Sequence, residues 1–152
     1  RTVLFEEPFE QENKIFLGDL PLCFAADESA HSTNDVRERI ELGYRAITLK
    51  PIAKTLSVSI EMAQLAYSLG AECFCADLTV NPAMVEWNKN FAARLSLLPG
   101  MKIGVVESNG AQNYRRWDAM LGYHPCKDFA FTRCENGVFL LFAYRFRMQA
   151  RR

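Results

Sequence analysis

"LCFAADESAHSTNDVRERIELGYRAITLK", residues 22–50, contains one full period of the pattern that decides the fold. The apolar run Leu22 to Ala26 ends abruptly in the acids Asp27 and Glu28. Ser32, Thr33 and Asn34 then offer side-chain oxygens to the free N–H groups of a helix start, and Val36 and Ile40 share one face of that helix. Gly43 stands where the helix should stop, because glycine accepts the left-handed backbone of a helix end. A second apolar run, Arg45 to Leu49, finishes at Lys50. Strand, helix and strand in this order read as a βα unit whose two strands run parallel.

The same alternation extends in both directions. Upstream, Val3 to Phe5 is a short strand that ends at Glu6 and Glu7, and the polar stretch Glu10 to Gly18 has room only for a short helix. Downstream, Val58, Met62, Leu65 and Leu69 recur at helical spacing, which predicts a helix over 57–69 closed by Gly70. Cys73 to Ala76 is a strand ending at Asp77. Asn81 and Pro82 supply a cap and a first-turn proline, and Met84, Trp87, Phe91, Leu95 and Leu98 continue the helical period to Pro99 and Gly100. Met101 to Val106 is a fifth strand ending at Glu107, followed by a helix over about 112–121 with Tyr114, Trp117 and Leu121 on one side. The pattern then changes. Phe129 to Arg133 and Val138 to Phe142 flank Glu135-Asn136-Gly137, and Asn-Gly is the strongest short signal for a hairpin turn.

Composition limits what such a chain can do. Its 152 residues, 49% of them hydrophobic, suffice for one sizeable core. Eighteen basic residues balance eighteen acidic ones, and no basic run interleaves with aromatics, so nucleic acid is not an expected partner. The longest apolar stretch, Val138 to Tyr144, is far too short to span a bilayer, and no signal peptide is visible. A cytoplasmic protein with no membrane partner is expected. Five cysteines without a Cys-x-x-Cys pair, several of them inside apolar runs, read as reduced core residues rather than a zinc site. The chain starts at Arg1 and enters a strand almost at once, which reads as a fragment.

Five strands end in Glu6, Asp27, Lys50, Asp77 and Glu107, with 21, 23, 27 and 30 residues between successive ends, enough for a crossover each time. In parallel βα architecture these ends gather on one rim and face a shared pocket. Carboxylates crowded on a rim repel unless a cation sits among them, and hard oxygen ligands suit Mg²⁺. A lysine beside that cation, partly desolvated, is a candidate base. For Asp77, Glu7 and Glu28 capping or a loop ion pair is the preferred reading; for Glu6, Asp27 and Lys50 together it is function.

The motifs "FEEP" at 5–8, "ADES" at 26–29 and "GYRAITLK" at 43–50 resemble the later barrel strands of the enolase superfamily, in its mandelate racemase and muconate lactonizing enzyme branch. The resemblance runs from Val3 to about His124. It implies an α/β fold, a partial TIM-like (β/α)7β barrel of about five βα units in residues 1–125, with a C-terminal β-hairpin and tail in 126–152. It also implies Mg²⁺ as cofactor and a small-molecule carboxylate as substrate, whose alpha proton is removed to give a metal-stabilised enediolate. By the same likeness Glu6 and Asp27 match metal ligands and Lys50 matches the base. Glu107, in "VESNG", would face the substrate carboxylate or the developing oxyanion as a hydrogen-bonding or acid group. A pattern with Asp on the sixth strand and His on the seventh is not met, since those ends carry Lys50 and Asp77. Lys54, in "PIAKTLS", is a weaker base candidate. Racemase, epimerase, dehydratase and cycloisomerase outcomes all stay open, as does a homo-oligomer of the full-length parent.

The competing class is a catalytically silent βα module whose strand-end acids act as caps. A doubly wound nucleotide-binding domain is set aside, because "EEPFEQ" after the first strand supplies no glycine-rich phosphate loop.

Overall fold

The computed structural model describes residues 4–76 and 79–139. Five strands form one parallel sheet in sequential order: β1 (Phe5–Glu6), β2 (Phe24–Ala26), β3 (Ala46–Leu49), β4 (Glu72–Ala76) and β5 (Val106–Glu107). Between β2 and β3 lies α1 (Thr33–Glu41), between β3 and β4 α2 (Leu56–Ser68), and between β4 and β5 α3 (Pro82–Ala92). Then come α4 (Gly110–Asn113) and α5 (Trp117–Gly122), and a separate antiparallel pair, β6 (Cys134–Glu135) with β7 (Val138–Phe139). Asn136 and Gly137, at φ 53° and 76°, make the two-residue turn expected of Asn-Gly.

The sheet curls into a half-barrel, and its register shows how. Glu6 is level with Ala25, and Ala25 with Ala46. Four residues beyond Ala46 is Lys50, which follows Leu49; the partner of Leu49, Cys75, precedes Ala76, and Ala76 pairs with Glu107. Four strand-to-strand steps therefore accumulate a stagger of four residues, an average of one per strand taken up in the first two steps. An eight-stranded barrel of shear 8 has the same stagger.

Two cores line the two faces, in keeping with the two-residue period of a strand. Inward-facing Leu4, Cys23, Ala25, Ala46, Phe74 and Val105 meet Leu98 and Met101. Outward-facing Phe24, Ala26, Ile47, Leu49 and Cys73 pack under Val36, Met62, Ala63 and Ala66 of α1 and α2. The first of these starts at one of the expected caps, the Ser32 hydroxyl accepting from the Asp35 N–H; the second starts one residue before the expected 57, where the Thr55 hydroxyl accepts from the Val58 N–H. The outer helix α3 begins at the Asn81 cap with proline in its first turn.

Five expected elements differ. No helix forms over 10–18; the Arg39 guanidinium, buried, donates instead to the carbonyls of Gln11, Asn13 and Ser29 and pins that segment as a loop. Gly43, at φ 95°, completes the pinning, since a Cβ there would lie 2.3 Å from the Gly18 nitrogen. The helix predicted to reach Leu98 stops at Ala92, which lets Leu98 turn into the inner core. Strand β5 covers only Val106, the last residue of the predicted run, plus Glu107, because Gly104 is pressed against α3, where a Cβ would stand 2.8 Å from the Ala92 carbonyl oxygen. The helix predicted over 112–121 is broken at Tyr114, which is extended, stacks on Trp117 and donates its hydroxyl to the Thr79 carbonyl at 2.9 Å. In the hairpin, Ala130–Thr132 is a turn of 3-10 helix and pairing begins only at Cys134; residues 140–142 of the second predicted strand lie outside the described residues.

Among the described residues no helix is long and apolar enough to cross a membrane.

Cys73 and Cys75 are both buried. Burial pushes the Cys73 thiol up to about 12 from its ordinary 9.0. Neither should react with a thiol reagent in the native state. Because the unfolded thiol ionises first, the folded state loses stability as pH rises from 9 toward 12, at roughly 1 kcal/mol per pH unit. Urea midpoints between pH 8 and 10 check this, and the decline should be shallower in Cys73→Ala.

Candidate active site

The inward rows of the sheet lead directly to ionisable groups. Residues 4 and 6 on β1, 23, 25 and 27 on β2, 46, 48 and 50 on β3, and 105 and 107 on β5 share one face by parity, so Glu6, Asp27, Thr48, Lys50 and Glu107 all point inward from the strand ends. On β4 the inward place is taken by Ala76, and Asp77 lies outside the described residues. A cleft of about 450 Å³ opens at this rim, lined by Glu6, Glu7, Asp27, Glu28, Lys50, Thr79, Glu107 and Asn109. Glu6, Asp27, Lys50 and Glu107, the four groups picked out in the sequence, all face it.

Its centre is an ion pair. Lys50 Nζ lies 2.6 Å from Asp27 Oδ2, with the two side chains only 10% and 7% exposed, and 3.5 Å from Glu28 Oε1. Burial opposes charge on both partners. For Asp27 burial prevails and its carboxyl is raised in spite of Lys50. For Lys50 burial is outweighed by the hydrogen bond and charge of Asp27 together with Glu28, so the ammonium holds its proton above the ordinary lysine range. Glu28 is also disfavoured by burial, yet its own backbone hydrogen bond and Lys50 bring it below the usual carboxylate range. Burial raises Glu6, as do the charges of Glu107 and Asp27, against a 2.9 Å hydrogen bond donated by the Thr48 hydroxyl to Glu6 Oε1.

Lys54 is placed differently from the expectation that made it a second base. Its ammonium donates to the carbonyl oxygens of Asp27 and Ala30, and it does not line the cleft. Glu7 accepts from the turn after β2 through Oε2, as capping predicts, yet the residue also lines the cleft and its Oε1 is buried without a donor. Thr48 was legible by strand parity; Thr79 and Asn109 enter through loops, which carry no periodic signal.

Whether the oxygens suit a metal ion can be read from their hydrogen bonds. Asp27 Oδ1, Glu7 Oε1 and Asn109 Oδ1 are buried acceptors without a donor. Orphaned buried acceptors are costly, and carboxylate and amide oxygens are the donors that Mg²⁺ prefers. The residues therefore fit such an ion, although among the described residues no group of three His, Cys, Asp or Glu side chains is gathered to cage one unaided.

This architecture is that of part of a TIM-type α/β barrel, with ionisable side chains gathered at the C-terminal rim of its strands. Among solved structures, a mandelate racemase/muconate lactonizing protein from Herpetosiphon aurantiacus superposes with a TM-score of 0.59 at 20% identity, covering 72% of this chain and 31% of that one. An N-succinyl Arg/Lys racemase from Bacillus cereus gives 0.59 at 17% identity, over 74% of this chain and 31% of its own. A dipeptide epimerase from Enterococcus faecalis, complexed with Mg and the dipeptide L-Leu-L-Tyr, gives 0.58 at 15% identity, over 71% and 31%. The chain shares their fold and spans just under a third of their length. No family model matches the sequence, and no curated relative does.

Proposed function

We propose that the chain belongs to the enolase superfamily, in the mandelate racemase and muconate lactonizing branch, and carries the strand-end acids and base of an isomerase or lyase that removes a proton alpha to a carboxylate. The observation that carries this is the convergence of Glu6, Asp27, Lys50 and Glu107 on one cleft, each from a different strand and in barrel register. The likeness to a racemase and an epimerase of the same fold supports it.

Glu6 and Asp27 would hold Mg²⁺, with Asp27 Oδ1 already free of donors. Bound there, the ion would supply the positive charge that makes an alpha proton removable. Lys50 is the base of this reading. Burial favours its neutral amine while Asp27 and Glu28 favour the ammonium, so engaging Asp27 with another cation moves Lys50 toward the form that accepts a proton. Glu107, on the far side of the cleft from β1 in strand order, would hydrogen-bond the substrate carboxylate, and its charge keeps Glu6 raised.

A second reading has one observation in its favour. Lys50, held as an ammonium, already pairs with Asp27 and Glu28 at the rim without any metal, as in a silent binding module. Metal dependence separates the two. In a polypeptide that carries this chain within a closed barrel, chiral carboxylic acids incubated in D₂O should exchange the alpha proton with Mg²⁺ present, and EDTA should stop the exchange. Exchange untouched by EDTA would remove the metal from this reading, and no exchange across hydroxy acids, N-acyl amino acids and dipeptides would remove the enzymatic reading.

A further inference from the structure

The end of β1 and the turn after β2 are joined by a side chain where the sheet stops joining them. The ladder between the two strands ends at Glu6 and Ala25, and the Glu7 N–H makes a last bond to the Ala25 carbonyl at 2.9 Å. Past that point the Glu7 carboxylate takes over. Its Oε2 accepts from the Asp27 N–H at 2.6 Å, the Ser29 N–H at 3.3 Å and the Ser29 hydroxyl at 3.0 Å. Glu7 reaches this position at φ 35°, in the left-handed region that side-chain-bearing residues avoid unless their surroundings hold them there.

The opposite side of the same turn is gripped by a cation. Lys54 Nζ donates to the Asp27 carbonyl at 3.3 Å and to the Ala30 carbonyl, and the Ala30 N–H closes the turn on the Asp27 carbonyl at 3.1 Å. An anion thus collects the N–H groups of the turn and a cation its carbonyls. Hydrogen bonds to charged groups are the stronger kind, and two of them opposed across one turn fix the main chain of Asp27 from both directions. From that main chain the Asp27 carboxylate faces the cleft, where it meets Lys50.

We propose that Glu7 and Lys54 are positioning residues, which clamp the turn from Asp27 to Ala30 and thereby aim the Asp27 carboxylate into the cleft. Only the metal readout below rests on the function proposed above; the clamp itself stands on the hydrogen bonds. The rival role for Glu7 is direct ligation through Oε1, and glutamine distinguishes the two, since it keeps an acceptor oxygen for the three donors and removes the charge.

The test uses the 152-residue chain with Glu7→Ala, Glu7→Gln and Lys54→Met, reading amide hydrogen exchange residue by residue and Mn²⁺ affinity by electron paramagnetic resonance. Glu7→Ala should lose at least about tenfold of the protection at the Asp27 and Ser29 amides, with β3 and β4 protection retained. It should weaken Mn²⁺ by at least about tenfold, within the range for groups that orient ligands. Glu7→Gln should return both to within about threefold of wild type, and Lys54→Met should act like Glu7→Ala at Ala30. Unchanged protection at Asp27 in folded Glu7→Ala overturns the clamp. So does a Glu7→Gln variant that binds Mn²⁺ as poorly as Glu7→Ala, which would make Glu7 a ligand. If wild type fails to bind Mn²⁺ while the amides respond as described, the clamp stands and the metal reading falls.

Discussion

Lys50→Met is expected to abolish alpha-proton exchange, by at least about a thousandfold, and to destabilise the fold by about 3 kcal/mol. The first effect follows from removing the base of the proposed reaction. The second follows from burial. Asp27 is left 7% exposed with its charge unpaired, and a buried carboxylate without its partner is far costlier than the pair was worth. Methionine keeps the aliphatic stem, so the loss is the charge and not a cavity. The stability deficit should shrink as pH falls from neutrality toward 3.8, because the raised Asp27 carboxyl then protonates and needs no partner. A divalent cation should recover part of it at neutral pH if Asp27 is a ligand. Denaturant titrations at pH 5 and 7.5, each with and without Mg²⁺, measure all of this. A variant with wild-type exchange on a turned-over substrate would show that the base lies elsewhere.

Asp27→Asn should fail in the complementary way. Metal affinity should drop by at least about a hundredfold, and exchange should disappear with it, because one substitution removes both the ligand charge and the partner of Lys50. Lys50 then loses the hydrogen bond and the largest charge that hold its proton, so its ammonium should titrate lower than in the wild type, against Glu28 alone. An amine-selective acylating reagent applied at pH 8 should therefore label Lys50 faster in Asp27→Asn. Isothermal titration with Mg²⁺ and peptide mapping of the labelled lysine check the two halves. Undiminished Mg²⁺ affinity would take Asp27 out of the metal site.

Much of this was legible from the chain. The strand ends named the rim groups, since apolar runs that stop at Glu6, Asp27, Lys50 and Glu107 put those side chains where a parallel sheet opens. Capping chemistry located α1 and α3, because Ser32 and Asn81 each supply an oxygen that the first turn lacks, and the apolar period located α2. What could not be read depends on partners distant in sequence. Arg39 suppresses a helix by reaching back to Gln11 and Asn13. Tyr114 breaks another to bond Thr79. Lys54 sits four residues beyond Lys50, and where Lys50 meets the carboxylates of Asp27 and Glu28 its ammonium meets the backbone carbonyls of Asp27 and Ala30.

The average stagger of one residue per strand has a consequence for how such a molecule can change over generations. The four rim groups are fixed by a lattice of backbone hydrogen bonds, so lengthening the connection that carries Thr79 or the one that carries Asn109 leaves their spacing alone. Deleting one residue inside β2 or β3 does the reverse, turning Asp27 or Lys50 to the helix-covered face. Reactive chemistry and ligand choice are thus written in separable parts of the chain. Loops can drift toward new molecules while the strands stay under tight selection, and a library built on this scaffold should randomise the former and leave the latter intact.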